Sequence, residues 1–334
     1  MLRDRVGHTP LERIAMKTRL NLLLIGLALV LSPARAVTNE TRSLILVLGA
    51  PGEPEYEKQF DSCADLWERA ATNGSLELTV IGRPAGSSAD DRTQLLDALS
   101  RESAKPEGEL WLVLIGHGTF DGHSAKFNLQ GPDISADELA AALKPCSRPL
   151  VVIQCASASG PFLSALSGPG RVIIAATRSG YEVDATRFGG YMAKAIADPA
   201  ADLDKDGQVS VLEAFLLASH EVEHFYKEAG RLSTEHALID DNGDGLGTPA
   251  DWFRGVRAVK SAEGGKTVDG VRAHHCALIR SAAERELSAA SRARRDELEQ
   301  QLAALRLHKG SMKEEEYYNQ LESILLALAK LYNQ

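Results

Sequence analysis

The chain has few cysteines and no strongly basic region, and both deficits exclude classes of function. It has 334 residues, of which 44% are hydrophobic and 25% charged, as in a globular protein with a sizeable core. No cysteine belongs to a C-x-x-C pair, so a cysteine zinc site or thioredoxin-like chemistry has no support. The formal net charge is −9, and no Lys/Arg cluster indicates a nucleic-acid or anionic-membrane surface. The four cysteines, whose pairing the sequence does not reveal, are Cys63, Cys146, Cys155 and Cys276.

Long apolar runs are scarce as well, and the one that stands out lies near the N-terminus. Lys17 and Arg19 precede the apolar residues 20–31, and Ala34-Arg35-Ala36 has the A-x-A form of a signal-peptidase site. This pattern predicts a signal peptide over residues 1–36 and an exported protein, periplasmic or secreted. An uncleaved anchor is the alternative. No other stretch is long and apolar enough to cross a bilayer, so we expect no stable membrane span after cleavage.

Short apolar runs alternate with segments of helical spacing through the first half of the chain. This alternation predicts a doubly wound α/β sheet with mainly parallel strands over residues 43–200. In such sheets the ligand and catalytic groups lie just beyond the carboxyl ends of the strands. His117 follows the third predicted strand and Cys155 follows the fourth. The five predicted strands cover residues 43–50, 75–82, 109–115, 149–154 and 171–177.

Residues 202–213, here called the first loop, have the spacing of a calcium site. Aspartates stand at positions one, three and five, glycine at six, an apolar residue at eight and glutamate at twelve, as in the twelve-residue EF-hand loop. Helices predicted before and after the loop complete the unit. The candidate Ca²⁺ ligands are Asp202, Asp204, Asp206, Gln208 through its backbone carbonyl, Ser210 and Glu213.

Residues 240–251, the second loop, repeat part of this pattern. Asp251 replaces the closing glutamate, Gly247 the apolar residue at position eight, and Pro249 is unusual in such a loop. The alternative is an Asp/Asn/Gly turn that binds nothing. The two loops define an EF-hand-type insertion over residues 201–260, and residues 261–269 look like a linker. The candidate ligands of the second loop are Asp240, Asn242, Asp244 and Asp251.

The Gly116-His117-Gly118 strand end, followed by the Gln154-Cys155 strand end, resembles the caspase–legumain group of cysteine peptidases. The resemblance spans roughly residues 44–197 and implies a calcium-dependent endopeptidase acting on a peptide or protein. Cys155 would attack the peptide carbonyl, His117 would protonate the leaving amine, and the N–H groups of Gly118 and Cys155 would form the oxyanion hole.

Two alternatives to this peptidase remain open from the residues themselves. Alignment on Ser159-Gly160 puts Ser157, not Cys155, at the nucleophile position. A degenerate peptidase fold that binds calcium without catalysis is the other alternative.

A third function is suggested by His220-Glu221-Val222-Glu223-His224, which satisfies H-E-x-x-H. It would give a zinc hydrolase with two histidine ligands on one helical face and Glu221 as the base. No third ligand is evident in the sequence.

The C-terminal region is predicted to be a helical hairpin over residues 272–334. Leu298, Leu302 and Leu305 form an apolar stripe, and Gly310 separates it from a second stripe that begins at Tyr318. We expect these helices to pack on the body or to mediate self-association or partner binding.

Overall fold

The structure, a computed structural model, describes residues 41–83, 90–260 and 268–332. The predicted signal peptide at residues 1–36 lies outside the described residues. Within the described ranges, no helix combines the length and the apolarity that crossing a bilayer requires.

A seven-stranded sheet forms the centre of the fold. Its strands are β1 (Ser43–Leu48), β2 (Glu77–Ile81), β3 (Leu110–Ile115), β7 (Leu150–Gln154), β8 (Arg171–Ala175), β9 (Leu238–Asp240) and β10 (Thr248–Pro249). They lie in the order β2-β1-β3-β7-β8-β9-β10. Strands β2, β1, β3, β7 and β8 are parallel, and β9 and β10 extend one edge in antiparallel fashion. The predicted α/β fold with a mainly parallel sheet is therefore confirmed.

Helices cover both faces of this sheet, which explains why the parallel strands are continuous apolar runs. Side chains alternate along β1, so that Leu46 faces one core with Trp67 while Val47 faces the other with Leu99. The helices of the first core are α1 (Pro54–Asn73), α5 (Phe188–Ala195) and α6 (Val211–Glu228). Those of the second core are α2 (Asp91–Ser103), α3 (Ala136–Leu143) and α4 (Gly160–Leu166). Ser135 and Glu138 form a capping box at the start of α3.

Smaller elements complete the described chain. A three-stranded sheet follows β3, and a two-stranded one follows the second loop. These strands are β4 (Gly118–Phe120), β5 (Ala125–Phe127), β6 (Ile134–Ser135), β11 (Phe253–Arg254) and β12 (Arg257–Ala258), and the remaining helices are α7 (Val271–His275), α8 (Ala282–Glu286), α9 (Ala289–His308) and α10 (Glu314–Tyr332).

The C-terminal helical pair is confirmed as α9 and α10. Leu298 and Leu302 of α9 pack with Leu328 of α10 in a cluster separate from the two main cores. On the outer side of α10, Leu326 and Tyr332 are exposed.

The region predicted as the calcium-binding insertion also builds part of the central sheet, which the sequence pattern did not indicate. Strand β9 pairs with β8 through Asp240 and Ile173, so the second loop begins inside the sheet. The helices predicted before and after the first loop are present as α5 and α6.

Candidate functional site

A pocket of about 390 Å³ opens at the carboxyl ends of β3 and β7. These two strands are neighbours, so the residues that follow them are brought to the same edge of the sheet. His117 and Cys155 both line this pocket, together with residues of α1 and of α5. The structure therefore brings the two predicted dyad residues to one cavity.

Aromatic rings hold His117 at the pocket wall. Its imidazole lies edge-on to Tyr56, with ring centroids 4.5 Å apart, and its centroid is 5.2 Å from that of Phe60. The carbonyl of His117 accepts the N–H of Asn128 at 3.0 Å. The backbone and the ring are thus both fixed by packing.

Cys155 is packed into the core at the base of the pocket and is only 4% exposed. A methyl group on Gly189 of α5 would lie 2.7 Å from the Cys155 Cβ, so α5 lies directly against this side chain. Burial raises the pKa of the Cys155 thiol well above its usual value, and the nearby Cys63 adds to the effect. Because the thiolate is the nucleophile, this environment opposes nucleophilic chemistry at Cys155.

The two N–H groups expected to form an oxyanion hole already have acceptors within the protein. The N–H of Gly118 donates to Ser157 Oγ at 3.1 Å, and the N–H of Cys155 donates to the carbonyl of Leu114 at 2.9 Å. The Ser157 hydroxyl in turn donates to the carbonyl of Gly118 at 3.0 Å. Ser157, the alternative nucleophile, is thus buried and engaged with the backbone of Gly118.

The first loop gathers its three aspartates around one point. Oxygen atoms of Asp202, Asp204 and Asp206 lie within 4.8 Å of one another. Asp202 accepts the N–H of Lys205 at 2.7 Å and of Gly207 at 3.2 Å, and Gly207 has φ +88°. Burial raises the pKa of the Asp206 carboxyl, and the charges of Asp204 and Glu213 add to the effect. Clustered hard oxygen donors of this kind fit Ca²⁺.

Glu213 closes the first loop from the start of α6. Its Oε1 accepts the N–H groups of Leu203 at 2.7 Å and Asp204 at 3.3 Å, which are loop positions two and three. Its Oε2 accepts the hydroxyl of Ser210, position nine, at 2.7 Å. A single buried carboxylate thereby joins both ends of the loop.

The second loop has the same internal arrangement. Asp240 accepts the N–H groups of Gly243 at 3.0 Å and Gly245 at 3.1 Å, at the relative positions that Asp202 binds in the first loop. Asn242 accepts the N–H of Asp244 at 2.8 Å. Gly245 has φ +75°, so both loops turn sharply at position six.

Asp251, at position twelve of the second loop, does not form the contacts that Glu213 forms in the first loop. The carboxylate of Asp251 pairs with Lys260 at 2.5 Å and is 69% exposed. Asp269 accepts the N–H groups of Asp241 at 2.9 Å and Asn242 at 3.1 Å, positions two and three. It also accepts the hydroxyl of Thr248, position nine, at 2.6 Å.

Asp269 thus accepts hydrogen bonds from the same loop positions in the second loop as Glu213 does in the first. It does so although Asp269 lies eighteen residues beyond Asp251 in the sequence. Burial raises the pKa of the Asp269 carboxyl, and the neighbouring Asp241 adds to the effect. Sequence reasoning missed Asp269 because it assigned this residue to a linker. The apolar Val268 and Val271 on either side of it are the local signal that the chain is structured there.

A second missed residue is Glu235, which caps α5 from a distant part of the chain. Its carboxylate accepts the N–H groups of Arg187 at 2.9 Å and Phe188 at 3.0 Å. Burial raises the pKa of this carboxyl. Nothing in the local pattern around Glu235 indicates this role.

The H-E-x-x-H pair lies on the outer surface of α6. His220 and His224 are both exposed, and His224 lies 3.5 Å from Glu228. Across the described ranges, the aspartates of the first loop form the one cluster of three or more His, Cys, Asp or Glu groups with metal-site spacing. The described residues thus bring no third ligand to the histidine pair.

The described cysteines are all free thiols, namely Cys63, Cys146, Cys155 and Cys276. Cys63, like Cys155, lies beside α5, where its Sγ is 3.3 Å from the carbonyl of Gly189.

Comparison with known proteins gives matches in fold only. No family model and no curated protein matches the chain. The crystal structure of the Drosophila initiator caspase Dronc is similar over 61% of this chain and 79% of that chain, with 11% identity and a TM-score of 0.43. Caspase-1 from Spodoptera frugiperda is similar over 60% and 87%, with 8% identity and a TM-score of 0.39.

A third match, Chaetomium thermophilum Raptor, covers 49% of this chain and 18% of that chain, with 11% identity and a TM-score of 0.34. These likenesses concern the fold alone, and the function has to be inferred from the geometry of the two loops and of the pocket.

Proposed function

We propose that this protein binds calcium ions in its two acidic loops. The observation that carries the proposal is the shared arrangement of the loops: in each, a carboxylate at position one accepts the N–H groups of positions four and six. In each, a second carboxylate accepts the N–H groups of positions two and three. Two unrelated turns would have no reason to share all of these contacts.

The first loop would hold Ca²⁺ through Asp202, Asp204, Asp206 and Glu213, with the Gln208 carbonyl and Ser210 completing the oxygen set. In the second loop the ligands would be Asp240, Asn242 and Asp244, with Asp269 in place of Asp251. Calcium supplies charge neutralisation for carboxylates that are otherwise held close together. Because the second loop has an asparagine where the first has an aspartate, we expect it to bind more weakly.

Calcium titration of the chain without residues 1–36 tests this proposal. Isothermal calorimetry should detect two ions per chain, and Asp202→Asn should remove the tighter one. Asp251→Asn is the matched control, because its exposed carboxylate pairs with Lys260 and should leave both ions bound. Absence of any bound calcium at millimolar concentration would overturn the proposal.

We propose in addition that the protein is exported. The basis is the sequence pattern of residues 17–36, and millimolar calcium outside the cell would suit loops of modest affinity. Fractionation of expressing cells, with N-terminal sequencing of the product, would test both export and cleavage after Ala36.

A second candidate function, a cysteine-type endopeptidase, is favoured by one observation: His117 and Cys155 line the same pocket. The buried thiol and the occupied N–H groups of Gly118 and Cys155 oppose it. These opposing contacts favour calcium binding without catalysis.

A thiol-reactive peptide probe separates the two candidates. Labelling is measured with and without calcium. A peptidase would be labelled rapidly at Cys155, and His117→Ala would abolish this labelling. Labelling no faster than that of Cys146, which is partly exposed, would eliminate the peptidase.

A further inference from the structure

Residues 269–281, here called the linking segment, contact both acidic loops. The segment contains α7 and ends where α8 begins. Its Ala273, Ala277 and Leu278 are buried, so the segment packs against the body of the molecule.

At its beginning, the linking segment exchanges hydrogen bonds with the second loop, and each side accepts N–H groups of the other. Asp269 accepts N–H groups of the loop, and Asp241 of the loop accepts N–H groups of the segment. The latter bonds come from Gly270 at 3.0 Å and Ala273 at 2.8 Å. Asp241 is only 6% exposed, so these bonds are shielded from water.

The same segment then contacts three positions of the first loop. Nε2 of His274 lies 3.3 Å from Oδ2 of Asp204, at position three. The N–H of Ser281 donates to the Gln208 side chain at 3.1 Å, at position seven. Ala277 forms a β-bridge with Ser210, at position nine.

We propose that the linking segment couples the two loops, so that an ion in either one raises the calcium affinity of the other. This inference rests on the proposed calcium binding. An ion in the second loop would fix Asp269 and with it the segment. The contacts to Asp204, Gln208 and Ser210 would then already be ordered when an ion enters the first loop. Coupling of this kind is reciprocal by thermodynamic necessity.

Each loop carries its own reporter for a test. The N–H of Gly207 donates to Asp202 at 3.2 Å, and the N–H of Gly245 donates to Asp240 at 3.1 Å. A ¹H–¹⁵N spectrum recorded during a calcium titration therefore follows each loop separately through these two glycines.

Asp269→Asn should weaken the second loop and move the Gly207 midpoint to about 5- to 30-fold higher calcium, within the usual range of coupling between sites. Asp251→Asn, the matched control, should move neither midpoint. Because Asp269→Asn alters a buried carboxylate, Asp202→Asn, at a half-buried residue of the mostly exposed first loop, gives an independent arm. It should shift the Gly245 midpoint by a similar factor.

If each variant weakens its own loop but leaves the midpoint of the other loop unchanged, the coupling is overturned and calcium binding remains intact. No calcium shift at either glycine would overturn the proposed function and the coupling together. The coupling is supported if Asp269→Asn shifts the Gly207 midpoint and Asp202→Asn shifts the Gly245 midpoint by the same factor.

Discussion

Acidification should destabilise the protein through one buried ionic group at the amino end of the sheet. Glu109 stands directly before β3, and its carboxylate lies 2.9 Å from Arg42 and 2.6 Å from Arg280. Burial alone would raise the pKa of Glu109, but the two guanidinium groups outweigh it and lower the pKa from 4.5 to about 2. Arg280 belongs to the linking segment, so this group also joins that segment to the sheet.

The sign and size of the effect are set by the pKa. Since the folded state holds Glu109 ionised below its ordinary pKa, its stabilisation is complete above about pH 4.5 and is lost as the pH falls towards about 2. A shift of this size corresponds to about 3 kcal/mol of unfolding free energy. Glu109→Gln should therefore cost about 3 kcal/mol at pH 7 and less than about 1 kcal/mol at pH 2.

Urea unfolding, followed by tryptophan fluorescence at pH 7, 4 and 2, measures this difference. Calcium should be removed before the experiment, so that the release of bound ions at low pH does not contribute. Glu77→Gln is the matched control, because Glu77 pairs with Lys105 while its own side chain is 65% exposed. A Glu109→Gln protein with the same pH dependence as the wild type would refute the reasoning.

Two further predictions concern the surroundings of His117 and Cys155. Gly189→Ala should destabilise the protein by about 1–3 kcal/mol, because the new methyl group would lie 2.7 Å from the Cys155 Cβ. Gly190→Ala is the control, because a methyl group on this neighbouring residue of α5 would meet open space, and its melting temperature should be unchanged or slightly raised. Equal effects of Gly189→Ala and Gly190→Ala would contradict the close packing of Gly189. Ser157→Ala should cost about 1–3 kcal/mol because it removes both hydrogen bonds to Gly118. An unchanged melting temperature would show that water replaces the hydroxyl.

The central sheet could be predicted from the sequence because burial on both faces requires continuous apolar runs. Residues 110–115 and 150–154 carry that signal in their composition alone. The turn of the first loop was equally predictable, since its aspartates and its glycine stand at fixed positions along the chain. Such features are local, because adjacent residues determine them.

The contacts that decide the chemistry of the sites join residues far apart in the chain, and local patterns carry no trace of them. Asp269, at the end of the segment predicted as a linker, forms hydrogen bonds with the second loop, while Asp251 forms an ion pair with Lys260. Burial of Cys155 depends on the approach of Gly189 from α5. Short strands such as β9 were missed because three residues contain too little periodicity to detect.

The central sheet separates the pocket from the second loop. His117 and Cys155 follow the carboxyl ends of parallel strands. Chain direction places the second loop at the opposite end, where a methyl group on Gly243 would lie 3.0 Å from the backbone of Gly168. A strand of five or six residues spans roughly 17–20 Å, whereas salt screens the field between solvent-exposed charges over about 8 Å at physiological ionic strength.

Solvent-exposed charges at that end of the sheet are therefore largely screened from the pocket. Helix α5 links the pocket to the first loop, since its Tyr191 and Lys194 line the pocket and the chain beyond its end enters the first loop. Its eight residues form a rod about 12 Å long. Any rotation of this helix at its loop end would therefore also move the side chains that line the pocket.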